Sequence, residues 1–168
     1  MRKIYIYHHL GMGDIIICNG LVRYLREVYG QVTTFCKHHD FKNAQKMYRD
    51  DPNIEIIPCQ SDLEVTNFLE GNNLLPDTIK VGFEKLRMFP ESSFDISFYT
   101  CLGLPFSYRF DRFYYTRDEE KESEMYEKYT SSEKYIFVHG DVDYSKIRTD
   151  LKIITNPSEC GLRSEERL

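Results

Sequence analysis

The sequence contains no tryptophan, one alanine (Ala44) and no aliphatic run longer than Ile15-Ile16-Ile17. A bilayer span takes about 20 apolar residues in succession, so no membrane-crossing helix is expected. The five cysteines, at 18, 36, 59, 101 and 160, are odd in number and include no C-x-x-C pair. That scatter argues against a disulfide framework and a structural zinc site, and for buried thiols in a reducing compartment. No Lys/Arg-rich run is present, and 27 Asp and Glu outnumber 22 Lys and Arg, for a net charge of -5. Charge therefore offers no attraction to phosphate backbones, and no nucleic-acid partner is expected. Met1-Arg2-Lys3 runs straight into alternating apolar residues without a signal-peptide core, which points to a cytoplasmic protein.

Against these absences stands a clear alternation of strand and helix patterns. At 168 residues the chain has room for one domain of about 150 residues and little more. Residues 3–8 alternate as a strand, Leu10–Asp14 is a glycine turn, and Ile15, Cys18, Val22, Leu25 and Tyr29 keep helical spacing up to Gly30. Val32–Cys36, rich in β-branched and aromatic residues, reads as a second strand. The pattern continues with a helix over 40–50, a strand over 54–57, a helix over 61–70, a strand over 78–82 and a helix over 92–102. The fold class this predicts is α/β, a Rossmann-like doubly wound parallel sheet. The 13 Tyr and 11 Phe accompany plentiful Lys, Ile and Asn, and are read as a compositional bias absorbed by core packing.

A charged helix over 117–130, with Glu124 and Lys128 as an i,i+4 pair, leads to a strand over 135–139. A weaker strand covers 152–154, and the stretch from 156 to 168 has no periodicity. A strand such as 135–139 normally opens a new βαβ unit. Residues 1–132 are therefore expected to form one Rossmann-like domain with its linker helix, and 133–168 the start of a truncated second domain.

Open parallel α/β sheets bind ligands at the carboxyl ends of their strands, which makes His8-His9-Leu10-Gly11-Met12-Gly13-Asp14 the first candidate. Glycines let a ligand approach the backbone, and the following helix N-terminus favours an anion. The run is no dinucleotide fingerprint, because Ile16 stands at the third glycine position, and no P-loop occurs. Asp14 is either a helix N-cap or a general base that takes a hydroxyl proton as the new bond forms. His8-His9 and His38-His39 close adjacent strands, yet successive strand residues face opposite ways, so no metal site is expected. His139 and Asp141 hold the equivalent place after the late strand. Arg109, Arg112 and Arg117 either clamp an anionic substrate or anchor the chain through ring and carboxylate contacts. No G-x-S-x-G or reactive-cysteine context supports nucleophilic catalysis.

The run from Ile6 through Gly11-Met12-Gly13-Asp14 to Arg23 and Leu25 resembles the N-terminal turn and helix of heptosyltransferase-like (glycosyltransferase family 9-like) enzymes of the GT-B fold. Gly103-Leu104-Pro105 to Arg109 resembles that family's G-x-P…R stretch, and Tyr135–His139 the strand opening its donor-binding domain. The resemblance implies two Rossmann-like domains facing a cleft, the first holding a glycan or lipid-linked acceptor and the second a nucleotide-sugar. It implies metal-independent, cofactor-free transfer with inversion, with Asp14 as base. Gly11, Met12 and Gly13 would approach the ligand through their backbones. His9, Arg109 and His139 complete the substrate-binding set, and Ser145 and Lys146 fall where the family places phosphate-binding side chains.

With most of the donor-binding domain lacking, the chain is expected to be a fragment or split subunit, weakly active alone, whose second domain lies on another chain. A noncatalytic sugar- or nucleotide-binding module is the alternative. An NAD- or methyl-donor-dependent Rossmann enzyme is disfavoured by the absent third glycine.

Overall fold

The computed structural model describes residues 2–83, 93–130, 134–137 and 147–154. Contacts divide the chain into two units, residues 1–116 and 117–168.

The first unit begins with β1 (Arg2–Tyr7), α1 (Met12–Tyr29) and β2 (Gly30–Lys37). A short 3-10 turn (His38–Asp40) follows, then α2 (Phe41–Tyr48), β3 (Ile54–Cys59) and α3 (Asp62–Gly71). A second 3-10 turn (Leu75–Asp77) precedes β4 (Thr78–Lys80), and α4 (Phe94–Thr100) and α5 (Tyr108–Asp111) complete the unit. The four strands form one parallel sheet in the order β3-β2-β1-β4. That is an α/β domain with a parallel sheet flanked by helices, and its strand order reverses between β1 and β4 as in doubly wound sheets.

Alternation in β1 sends Ile4 and Ile6 into a core shared with Ile15, Cys18, Leu21, Val22 and Leu25 of α1. Tyr7 turns to the opposite face, where Phe35, Val65 and Leu69 pack with it. β2 lies between β1 and β3 and is buried on both faces from Val32 to Cys36. Its two threonines are satisfied: Thr33 donates to Glu55 Oε2 at 2.9 Å, and Thr34 Oγ1 lies 3.2 Å from the Ile6 carbonyl. Gly30 ends α1 with φ 100° and donates its N–H to the Arg26 carbonyl, a left-handed stop that suits glycine. Ser61 caps α3, accepting the Glu64 N–H.

Three differences from the sequence expectation bear on the site. α1 opens at Met12 rather than Ile15, so Gly11 is the N-cap and Asp14 lies one position short of the end of the first turn. The histidines 38 and 39 start a 3-10 turn instead of closing β2. The stretch around Arg109 contains the short helix α5, which packs so closely on α1 that a Cβ on Gly20 would stand 2.0 Å from the Tyr108 carbonyl oxygen.

In the second unit, α6 (Glu119–Thr130) is followed by β5 (Tyr135–Phe137) and β6 (Lys152–Ile154), which pair in parallel with Tyr135 opposite Lys152. Glu124 and Lys128 form no ion pair; Glu122 binds Arg117 instead, and the Lys128 ammonium lies 5.2 Å from the Tyr129 ring centre. Both acid and base of the expected pair are exposed, where such a pair offers only tenths of a kcal/mol (about 0.3–0.5).

Candidate functional site at the carboxyl edge

The loop leaving β1 is fixed residue by residue. His8 continues the inward alternation of Ile4 and Ile6 and is fully buried. Its Nδ1 lies 2.5 Å from the His9 carbonyl and its Nε2 3.0 Å from Thr34 Oγ1. Burial holds its pKa below the ordinary histidine value, so the ring is neutral at pH 7, with Nδ1–H donating to the carbonyl and the threonine hydroxyl donating to Nε2. His8 is a satisfied core residue. Leu10 is buried, and its carbonyl accepts the Lys37 N–H at 3.3 Å, tying the loop to the end of β2.

His9 points the other way, to where the strand order reverses. Its Nε2 donates to the Gly82 carbonyl at 3.0 Å, joining the loop after β1 to the loop after β4. Its ring stacks on Phe83 at 4.7 Å and 23°, with Phe94 and Phe98 tilted beside it at 5.5 and 5.9 Å. With Nε2 committed, Nδ1 is the ring nitrogen left without a partner among the described residues. Gly82 is required here twice over. It has φ +86°, and a Cβ would stand 2.0 Å from Phe98 Cε1 and 3.1 Å from His9 Cδ2.

Gly11, Met12 and Gly13 begin α1. Gly11 has ordinary extended backbone (φ -73°, ψ 152°), so no left-handed turn calls for glycine. A Cβ on it would come within 3.1 Å of Asp14 Oδ2, which folds back over the helix start. A Cβ on Gly13 would meet nothing within 4 Å among the described residues. No side chain among the described residues caps the α1 N-terminus. Its first N–H groups and the positive end of the helix dipole therefore face outward at the carboxyl edge of the sheet. Asp14 is half-buried and makes no hydrogen bond or ion pair among the described residues.

Arg109 is held elsewhere. It forms an ion pair with Asp95, and its guanidinium lies over the Phe106 and Phe110 rings at 5.7 and 5.4 Å. The Ser93 hydroxyl, with lesser help from Arg109, holds the Asp95 carboxyl below the usual range. Arg112 and Arg117 are paired too, with Glu27 and Glu122. These contacts are of the anchoring kind. His139, Ser145 and Lys146, like Asp141, lie outside the described residues.

Thiol chemistry finds no support at this edge. Burial pushes Cys18 up, Cys36 to about 12 and Cys59 to about 11, so all three are protonated at neutral pH. No group of three or more His, Cys, Asp or Glu side chains is placed to hold a metal ion among the described residues. No helix there is long and apolar enough to cross a membrane.

No family model, curated protein or solved structure matches this chain. The functional reading rests on the geometry of the carboxyl edge. There the fold brings together His9, Gly11, Met12, Gly13 and Asp14 and leaves Arg109 in its pair with Asp95. The ring cluster of Phe83, Phe94 and Phe98 escaped the sequence reading, because three aromatics spread over sixteen positions carry no periodic signal. Gly82, a glycine at the end of the expected strand over 78–82, is the available clue.

Proposed function

We propose that residues 1–116 are the acceptor-side domain of a GT-B, heptosyltransferase-like glycosyltransferase, which passes a sugar from a nucleotide-sugar to a glycan or lipid-linked acceptor. The observation that supports this most is the uncapped start of α1 at the carboxyl edge, beside the reversal of strand order, with Asp14 as its first-turn carboxylate. Outward N–H groups stabilise negative charge on an approaching ligand, and the glycines let it come close. His9 Nδ1 adds a hydrogen-bonding group for a sugar hydroxyl.

In this reading the acceptor hydroxyl attacks the anomeric carbon of the donor from the face opposite the diphosphate. Its proton passes to the Asp14 carboxylate as the new C–O bond forms. The bond from the anomeric carbon to the diphosphate breaks, and the nucleotide diphosphate leaves with that electron pair. A first-turn carboxylate is a weak base at rest, so transfer accompanies bond formation instead of preceding it.

The test is a calorimetric and NMR screen of UDP-, GDP-, ADP- and CMP-sugars with sugar acceptors, followed by turnover assays of a protein carrying both GT-B domains. Asp14→Asn is expected to keep ligand affinity within about twofold and to lose about 10²–10⁴ in turnover. Unchanged turnover would reduce Asp14 to a helix-dipole charge. Binding without turnover in either protein would favour the noncatalytic sugar- or nucleotide-binding module, and no ligand response at residues 8–14 would remove both readings.

A further inference from the structure

α1 runs from the carboxyl edge of the sheet to its amino edge, where Arg23, Arg26 and Glu27 of its last turns meet Asp51, just before β3, and the segment around α5. Between them lies an open groove of about 560 Å³, within the range of small-molecule sites. We propose that this groove is a binding site for an uncharged polyhydroxylated ligand, a glycan residue or short neutral oligosaccharide. The proposal rests on the groove's own residues and not on the reaction proposed above.

Charge decides the ligand class. Arg23 is held bidentately by Asp50, through Nη1 at 2.8 Å and Nη2 at 2.9 Å; Nη2 also donates to the Met47 carbonyl, and Nε to the Tyr114 carbonyl and Asn19 Oδ1. Arg26 Nε lies 2.6 Å from Asp51 Oδ2, a contact of opposite charges without hydrogen-bond alignment. Arg112 pairs with Glu27. Every arginine of the groove is thus neutralised by the protein itself, and Asp111 adds a carboxylate with no partner among the described residues. An anion would meet repulsion there, and no surplus cation is available to hold it.

The remaining surface suits hydroxyl groups on a ring. Paired carboxylates and guanidinium groups keep unused lone pairs and N–H groups in planar, two-pronged arrays that match adjacent hydroxyls. Tyr114 is 53% exposed. The Arg23 guanidinium lies over its ring at 5.2 Å, a cation–π contact that favours this ring position. Asn19, fully buried, donates to the Tyr114 carbonyl at 3.1 Å and accepts its N–H at 3.0 Å, so the backbone under that ring is pinned as well. A rigid aromatic platform beside neutral hydrogen-bonding groups favours the C–H face of a sugar over a flexible peptide.

The experiment is an NMR titration of the 168-residue protein with glucose, galactose, mannose, maltotetraose and cellotetraose, each to 50 mM, and separately with inorganic phosphate. At least one neutral sugar is expected to shift Tyr114, Asp111 and Arg112 resonances saturably in the millimolar range, while phosphate leaves them unmoved. Tyr114→Ala and Asp111→Ala, both at exposed positions, should weaken that binding about three- to tenfold without altering the rest of the spectrum. Phosphate binding at the groove, or no response to any of the five sugars, overturns the proposal. Responses at residues 8–14 report on the carboxyl edge, so failure of one site is read separately from failure of the other.

Discussion

Replacing Gly82 by alanine tests the arrangement that joins the loops after β1 and β4. Two costs add. At φ +86° an L side chain is strained, about 1–3 kcal/mol. The new Cβ would also stand 2.0 Å from Cε1 and 2.6 Å from Cδ1 of Phe98, a ring that is fully buried and has nowhere simple to go. Overpacking of this kind costs about 1–3 kcal/mol more. Loss of glycine's freedom in the unfolded chain returns about 0.4–1 kcal/mol. The net expectation is about 1–6 kcal/mol of destabilisation, or about 2–20 °C in Tm for a chain of this size.

With no tryptophan available, urea unfolding is best followed by circular dichroism at 222 nm. The two costs separate in a double-mutant cycle. In a Phe98→Ala background the ring clash is gone and Gly82→Ala should cost only the backbone strain, leaving a coupling of about 1–3 kcal/mol between the sites. Gly13→Ala is the matching control, because a Cβ there meets open space; it should be neutral or stabilising by up to about 1 kcal/mol. A neutral Gly82→Ala, or an equal cost in both backgrounds, would refute the close packing of Gly82 against Phe98.

Because burial holds the His8 pKa below 6.5, the unfolded chain binds more protons on that residue as pH falls. Its contribution to stability is full above pH 6.5 and is lost as pH falls through the folded value, with a slope of at most about 1.4 kcal/mol per pH unit. His8→Gln should remove that part of the slope, which urea titrations at pH 7.5, 6.5 and 5.5 would measure. Asn19→Ala removes the two hydrogen bonds that Asn19 makes to the Tyr114 backbone, leaving Arg23 Nε on the carbonyl but the Tyr114 N–H without its acceptor, and should cost about 1–3 kcal/mol; hydrogen exchange at the Tyr114 amide should accelerate with it.

Strands and helices were legible wherever one face is buried, because periodicity then reports directly on packing. Ile4 and Ile6 against Tyr5 and Tyr7, and the Ile15–Cys18–Val22–Leu25 stripe, all face where their spacing predicts. Helix ends were harder to read. A bare glycine N-cap gives no Ser, Thr, Asn or Asp signal, so the pattern points to the first apolar residue, Ile15, as the start of a helix that begins at Met12. Side-chain partners far apart in the chain left no trace at all: Asp95 with Arg109, Glu27 with Arg112 and His9 with Gly82 depend on how α4, α5 and the β4 loop dock. That is why the glycine turn could be picked out as a candidate while the fate of Arg109 could not.

The two ends of α1 explain why one sheet offers two unlike surfaces. At the carboxyl edge the helix begins with no cap, and the charge and ring nitrogen nearest it, Asp14 and His9 Nδ1, have no partners among the described residues. At the amino edge the negative end of the same dipole meets Arg23 and Arg26, yet each is cancelled by Asp50 or Asp51. On the function proposed above, the N–H groups of the first surface meet the negative charge of a nucleotide-sugar while Asp14 takes the acceptor hydroxyl proton. The second has spent its charges on itself and retains shape and hydrogen bonding. Raising ionic strength should then weaken any ligand at residues 8–14 while leaving a neutral sugar at Tyr114 nearly unaffected, since screening acts only where charge does the recognising.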